Sequence, residues 1–264
     1  MNRIVVETYE NYREEDRLST NQARRIEFIT TTRIMDELIQ PESTILDCAA
    51  GTGIYAFYLA DQGNSVTATD LTPRHVEYMR ENLKNKTYQM DTAVLDAIDM
   101  KMFADESFDA VLNMGPFYHL ISEEQRAKCL SESIRVLKKG GLLFTAYIPR
   151  YYMYQYMIMK DPEYLSKEYE EAFMQTGVIS HKEKNCFWTD SYYSSKDEME
   201  NIYHKNGLQI EDHFAQDGLT PQFAKIADAW KEQQFKVWCE HHYKVCREQS
   251  ILGLSNHVMI VGRK

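Results

Sequence analysis

Ile45-Leu46-Asp47-Cys48-Ala49-Ala50-Gly51-Thr52-Gly53 is the stretch on which the reading of this chain turns. An apolar pair runs into an acid, three small residues and two spaced glycines, and the apolar run Ile54, Tyr55, Phe57, Tyr58, Leu59 follows. Gly51 and Gly53 allow close backbone approach to a ligand and positive φ where needed. The amides that open the next helix can hold an anionic group. The stretch therefore reads as a strand, a tight turn and a helix start.

Working outward, strands and helices alternate. Strands are predicted at 44–48, 65–69, 87–95, 108–113 and 142–148, the third being the weakest. Helices are predicted at 53–62, after Thr72-Pro73, and at 122–137 with Ser122 as cap. This alternation implies a parallel sheet with helices on both faces. Before it, residues 1–43 form a lead. There Ile26, Ile29, Ile34 and Leu38 recur at helical spacing over 21–40, Asn21 offers a cap and Pro41 a stop. After it, 149–195 is dense in aromatics, among them Tyr151, Tyr152, Tyr156, Phe187, Trp188 and Tyr193, with no clear strand order. The chain then returns to a helix at 196–206, a strand at 208–214, a long helix at 221–248 and a strand at 257–261. The expected organisation is an N-terminal helical lid (1–43), a core (44–148 and 196–264) and a cap insertion (149–195).

The 264 residues suffice for a sizeable core. No apolar run approaches the ~20 residues of a membrane helix, and the start lacks a signal peptide's apolar stretch. The five cysteines include no Cys-x-x-Cys pair, so they read as reduced thiols and the default compartment is the cytoplasm. A formal net charge of −10 and only short basic pairs, Arg24-Arg25 and Lys138-Lys139, shift weight from nucleic acid toward a small-molecule partner. A monomer or a homodimer fits equally.

Two nucleotide cofactors use such a turn. Gly51-Thr52-Gly53-Ile54-Tyr55-Ala56 fits the Gly-x-Gly-x-x-Ala form of a nicotinamide site, and Asp70 falls near the offset of a ribose-binding acid, so an NAD-dependent oxidoreductase is the rival reading. Asp47 argues against it. A dinucleotide fingerprint normally puts its first glycine directly at the strand's end, whereas an acid and three small residues intervene here. An acid at that point fits a ligand with a cationic amine better than a diphosphate.

With Asp47-x-Ala49-x-Gly51-x-Gly53 the chain resembles motif I of the class I S-adenosylmethionine-dependent methyltransferases. The resemblance spans about 44–148 and implies a doubly wound, mainly parallel, seven-stranded Rossmann-like sheet with an antiparallel last strand. It implies S-adenosyl-L-methionine as cofactor, S-adenosyl-L-homocysteine as product, and cofactor contacts from Asp47, Ala49, Gly51, Thr52 and Gly53. Asp70, with Leu71 beside it, looks like the acid for the ribose hydroxyls. Asp96 and Ala97 look like the adenine pair, and Asn113 and Met114 like the segment lining the methionine side. In resembling enzymes an N-terminal segment folds over the cofactor, where Tyr12 and Arg17 would meet the methionine carboxylate. Ala49 departs from the motif's first glycine, and its Cβ disfavours a left-handed conformation there.

The acceptor is the open half. His119 is either a base facing the transferred methyl or a hydrogen-bonded histidine in a packed turn, and Tyr118 stands similarly. No His and carboxylate cluster appears at ligand spacing, so no metal is implied. The expected activity is methyl transfer to N, O or S of a small molecule. A non-catalytic S-adenosylmethionine-binding protein is a further alternative, since fold does not imply activity.

Overall fold

The computed structural model describes residues 3–183, 186 and 188–264. Phe187, counted above in the cap, lies outside the described residues, as do Met1 and Asn2 of the lead. The strands are β1 (Thr44–Asp47), β2 (Ser65–Asp70), β3 (Asp91–Val94), β4 (Phe108–Asn113), β5 (Leu137–Tyr147), β6 (Val178–Ile179), β7 (Ser191–Tyr192), β8 (Gln209–Ala215) and β9 (Val258–Arg263). The helices are α1 (Arg3–Glu10), α2 (Gln22–Leu38), α3 (Ile54–Asp61), α4 (Pro73–Leu83), α5 (Pro116–His119), α6 (Glu123–Val136), α7 (Arg150–Lys160), α8 (Lys167–Thr176), α9 (Lys196–Lys205), α10 (Ala224–Ala227), α11 (Glu232–Val245) and α12 (Gln249–Leu252).

Seven strands form one sheet in the order β3-β2-β1-β4-β5-β9-β8. The pairs from β3 to β5 are parallel, while β9 runs antiparallel to both neighbours. This is the doubly wound, mainly parallel sheet that the alternation implies. Ile45, Leu112 and Phe144 pack in one core cluster, and Leu46, Val111 and Leu143 in the other. Successive residues of each central strand thus feed opposite faces, both covered by helices. Strand order reverses between β1 and β4, the place where open α/β sheets bind ligands.

Several boundaries differ from expectation. β3 is shorter than 87–95, and β5 starts at Leu137, inside the passage read as a helix end. There Phe108 pairs with Leu137 and Ala110 with Leu142, so the chain from Lys138 to Gly141 bulges out of register. The helix expected at 221–248 is broken. The segment between α10 and α11 serves the start of α2 instead: the Ala23 N–H donates to the Asp228 carboxylate and the Gln22 side chain to the Trp230 carbonyl. The aromatic segment folds as α7, α8 and the hairpin β6-β7 around its own cluster of Met153, Met157, Tyr164, Phe173, Ile179 and Tyr193. Buried Arg150 ties it to α9 through both oxygens of Glu198, at 2.9 and 2.7 Å.

Gly53 requires its missing side chain. Its φ is +89°, and a Cβ there would lie 2.9 Å from Met79 Cγ and Sδ on α4. Gly53→Ala is expected to cost about 1–3 kcal/mol of stability from backbone strain alone, read as a lower midpoint in denaturant unfolding. An unchanged midpoint would show that the turn relaxes freely.

Candidate functional site

Every loop that leaves the carboxyl edge of β1 to β4 opens on one cavity of about 690 Å³. Asp47 ends β1 and Asp70 ends β2, so side chain and turn are delivered by strand geometry. The Asp70 carboxylate organises the entrance. Its Oδ2 accepts the Gly51 N–H at 2.8 Å, and its Oδ1 accepts the Thr72 N–H at 2.8 Å and pairs with His75 Nδ1 at 3.1 Å. The turn after β1 and the turn after β2 thus share one anion. Gly51 is left-handed at φ +55°, whereas Ala49 is not among the positive-φ residues, as its Cβ requires.

Asp47 is buried, and its Oδ1 has no hydrogen-bond partner among the described residues. Burial pushes its pKa up to about 7, with the Asp70 charge adding and the Ala49 backbone N–H opposing. One other buried polar atom on the same wall lacks a partner among the described residues, His75 Nε2. Buried polar groups are normally paired, so these two atoms mark the cavity as suited to a polar ligand. Asp47 is the telling one, because an unpaired buried carboxylate is stabilised best by a cation.

Of the sequence-predicted residues, Tyr12, Arg17, Asp47, Ala49, Gly51, Asp70, Leu71, Asp96, Ala97, Met114, Tyr118 and His119 stand on the cavity wall. Three do not. Asn113 is fully buried with its side-chain amide donating to Cys129 Sγ and Ser133 Oγ of α6, so it packs the sheet onto that helix. Thr52 and Gly53 are not on the wall either; Gly53 faces Met79 on α4. Arg17 needs a correction in role. Its fork holds Glu27 at 2.9 and 3.0 Å and its Nε holds Glu14 at 2.8 Å, so its charge is already matched by protein carboxylates. Arg24 on α2 has no carboxylate partner among the described residues; it lines the cavity and donates to the Tyr12 hydroxyl at 3.4 Å.

The lead packs over the strand ends and lines the cavity. Glu14 lies over the glycine turn, since a Cβ at Gly51 would come within 3.3 Å of its Cγ. Tyr9 packs edge-on against His75, His119 and Trp188, with ring centroids 5.5–6.0 Å apart. Trp188 of the aromatic segment also packs on Tyr12 at 4.8 Å, so the lead and that segment touch there.

His119 is fixed in one tautomer. Nδ1 lies 3.2 Å from the Asp190 carbonyl, which can only accept, so Nδ1 carries the proton. Nε2 must then accept from the Tyr9 hydroxyl at 2.9 Å. Burial lowers its pKa to about 4, against the pull of the Asp190 carbonyl and the Asp70 charge. A base this weak, with its lone pair already engaged, is poorly matched to proton abstraction near neutral pH. Burial pushes the Tyr118 hydroxyl well up as well.

Glu14, Arg24, Glu27, Asp217 and His257 are cavity residues that sequence reasoning missed. They come from the lead, α2, the end of β8 and the residue before β9, and no local pattern joins them. Glu27, Asp217 and His257 bring ligand-type atoms within 4.8 Å of one another. Asp217 is held low because the neighbouring His257 outweighs its burial. His257 is buried too, yet Glu27 and Asp217 raise its pKa.

Comparison with known proteins agrees with this geometry. A methyltransferase-domain family model matches residues 45–141, the span from β1 into β5. A glycine/sarcosine N-methyltransferase of Parasynechococcus marenigrum is 33% identical over 101 residues, covering 38% of this chain and 36% of that protein. A ubiquinone/menaquinone biosynthesis C-methyltransferase of Zymomonas mobilis is 33% identical over 114 residues, 40% of this chain and 44% of that protein. The chain thus matches less than half the length of these curated relatives. Among solved structures, a Burkholderia thailandensis 1,6-didemethyltoxoflavin-N1-methyltransferase superposes with a TM-score of 0.59 at 15% identity, covering 98% of this chain and 85% of that one. Over residues 45–141 the chain is thus similar to methyltransferase domains, and the likeness to the solved methyltransferase shows a shared fold.

Nitrogen-detected NMR on the histidines checks the site's electrostatics. His119 is expected to remain a neutral Nδ1–H tautomer at pH 6, where an unperturbed histidine of pKa about 6.5 is mostly protonated. Titration of His119 near 6.5 would contradict the burial and pairing described.

Proposed function

We propose that this protein transfers the methyl group of S-adenosyl-L-methionine to an N, O or S atom of a small acceptor. The observation that carries this is the unpartnered Asp47 Oδ1, buried on the wall of a cavity at the sheet's switch point. A cationic amine supplies both the donor and the charge that this oxygen lacks. Asp70 still has acceptor capacity beyond its three present donors and can take ribose hydroxyls. Asp96 and Ala97 line the same cavity, which supports giving them the adenine amino group and ring. Tyr12 and Arg24, rather than Arg17, are the pair for the methionine carboxylate. A nicotinamide cofactor would bring a diphosphate toward the same buried acid, which is unfavourable.

When bound, the cofactor supplies a methyl carbon already activated by a sulfonium. The protein's work is then to align the nucleophile and exclude water. The Tyr9, Tyr12 and Trp188 contacts between lid and cap do the second. The named relatives methylate nitrogen in one case and carbon in another, so they do not choose the acceptor atom.

Calorimetry with S-adenosylhomocysteine tests the reading. Asp47 has a pKa of about 7 in the free protein, and a bound ammonium would lower it. Binding then releases a proton below pH 7, so affinity is expected to be flat just above about 7 and to fall roughly tenfold per unit below it. Asp47→Asn is expected to lose roughly 1.5–3 kcal/mol of binding and to flatten this dependence. No binding of S-adenosylhomocysteine together with tight binding of NADH would overturn the proposed cofactor.

A further inference from the structure

The cofactor contacts proposed above come from the lead, α2 and the ends of β1, β2 and β3, on one side of the switch point. Another part of the cavity wall comes from the opposite side. Ile148 follows β5, Tyr152, Met153 and Tyr156 lie on α7, Trp188 lies in the aromatic segment and Pro221 follows β8. None of these six side chains is charged near neutral pH. Tyr152 and Tyr156 are four residues apart and so share a face of α7. Their rings lie within 18° of parallel, with centroids 6.3 Å apart. This wall is apolar and largely aromatic.

Tyr152 gives it one polar feature. The residue is 5% exposed and lines the cavity, and its hydroxyl has no hydrogen-bond partner among the described residues. Other phenols on the cavity wall are engaged: Tyr9 donates to His119, Tyr118 to the Met114 carbonyl, and Tyr12 accepts from Arg24. Buried hydroxyls are normally paired, so the Tyr152 hydroxyl points to a ligand. Burial first, and the Asp217 charge second, raise its pKa. It therefore keeps its proton near neutral pH and offers it to an oxygen or nitrogen lone pair.

Nearby charges are already matched. Asp217 Oδ1 accepts the Ser255 hydroxyl at 2.7 Å and the His257 N–H at 3.0 Å, and its Oδ2 lies 3.2 Å from His257 Nδ1. Both Glu27 oxygens are held by the Arg17 fork. An ionised ligand would lose its hydration here without a free counter-charge.

We propose that this side of the cavity receives the methyl acceptor, and that the acceptor is an uncharged planar aromatic molecule whose carbonyl oxygen or ring nitrogen takes a hydrogen bond from the Tyr152 hydroxyl. This rests on the methyl-transfer reading and specifies its acceptor. The aromatic wall favours a flat ring, because offset or edge-on ring pairs gain roughly 0.5–1.5 kcal/mol beyond the area they bury. The single hydroxyl then fixes the ring's orientation in its plane.

The test is calorimetry at about pH 7.5 on the full chain saturated with S-adenosylhomocysteine. Three uncharged probes are compared. Acetophenone has both the flat ring and the carbonyl, ethylbenzene lacks the carbonyl, and cyclohexyl methyl ketone lacks the flat ring. Acetophenone is expected to bind roughly three- to tenfold more tightly than either of the others. Tyr152→Phe keeps the ring and removes the hydroxyl. It is expected to erase the preference for acetophenone over ethylbenzene, to keep the preference over the cyclohexyl ketone, and to leave S-adenosylhomocysteine affinity unchanged. A merely structural tyrosine would instead weaken all three probes alike, and that result would overturn the proposal. Equal affinity of acetophenone and either other probe, or no binding of acetophenone, would overturn it too. Failure of the unaltered protein to bind S-adenosylhomocysteine would instead overturn the methyl-transfer reading.

Discussion

The Asp70 carboxylate is the interaction on which the rest of the site depends. With one oxygen it holds the Gly51 N–H, and with the other the Thr72 N–H and the His75 ring. It therefore fixes two turns from adjacent strands at the place where strand order reverses. The N-terminal lead rests on what it fixes, with Glu14 against Gly51 and Tyr9 against His75. Hydrogen bonds to a charged group are worth roughly 1.5–3 kcal/mol, enough to hold a left-handed glycine and two loop ends in place. Asp47, one strand away, is left free of such bonds on Oδ1 and so remains available to a ligand.

The cavity divides its chemistry between two acidic regions. One, at the strand ends, contains Asp47 and Asp70; the other, built from α2 and the segments flanking β8 and β9, contains Glu27, Asp217 and His257. Tyr9, Tyr118 and His119 also line it, and burial keeps His119 neutral and the two phenols protonated near neutral pH. Folds of this kind do not dictate a reaction.

Much of this was legible in the sequence because strand ends announce themselves. An acid at or just past a strand's end, at Asp47, Asp70 and Asp96, can be read without coordinates. Asn113 shows the limit. It closes β4 in the same way, but it faces Cys129 and Ser133 of α6 rather than the cavity, and position in a strand does not settle which way its last side chain turns. Arg17 was correctly placed near the cavity, but its partner Glu27 was not foreseen, and that partner removes its charge from play. The broken helix after Pro221 and the Glu27, Asp217 and His257 group were hidden for one reason. Both depend on contacts between distant segments, and neither helical period nor motif spacing carries information about them.

A crystal structure of the protein with S-adenosylhomocysteine tests the central claim most directly. The ligand's amine is expected within hydrogen-bond distance of Asp47 Oδ1, with its ribose hydroxyls on Asp70. A ligand bound with Asp47 Oδ1 still unpaired, or with its amine directed elsewhere, would contradict the account.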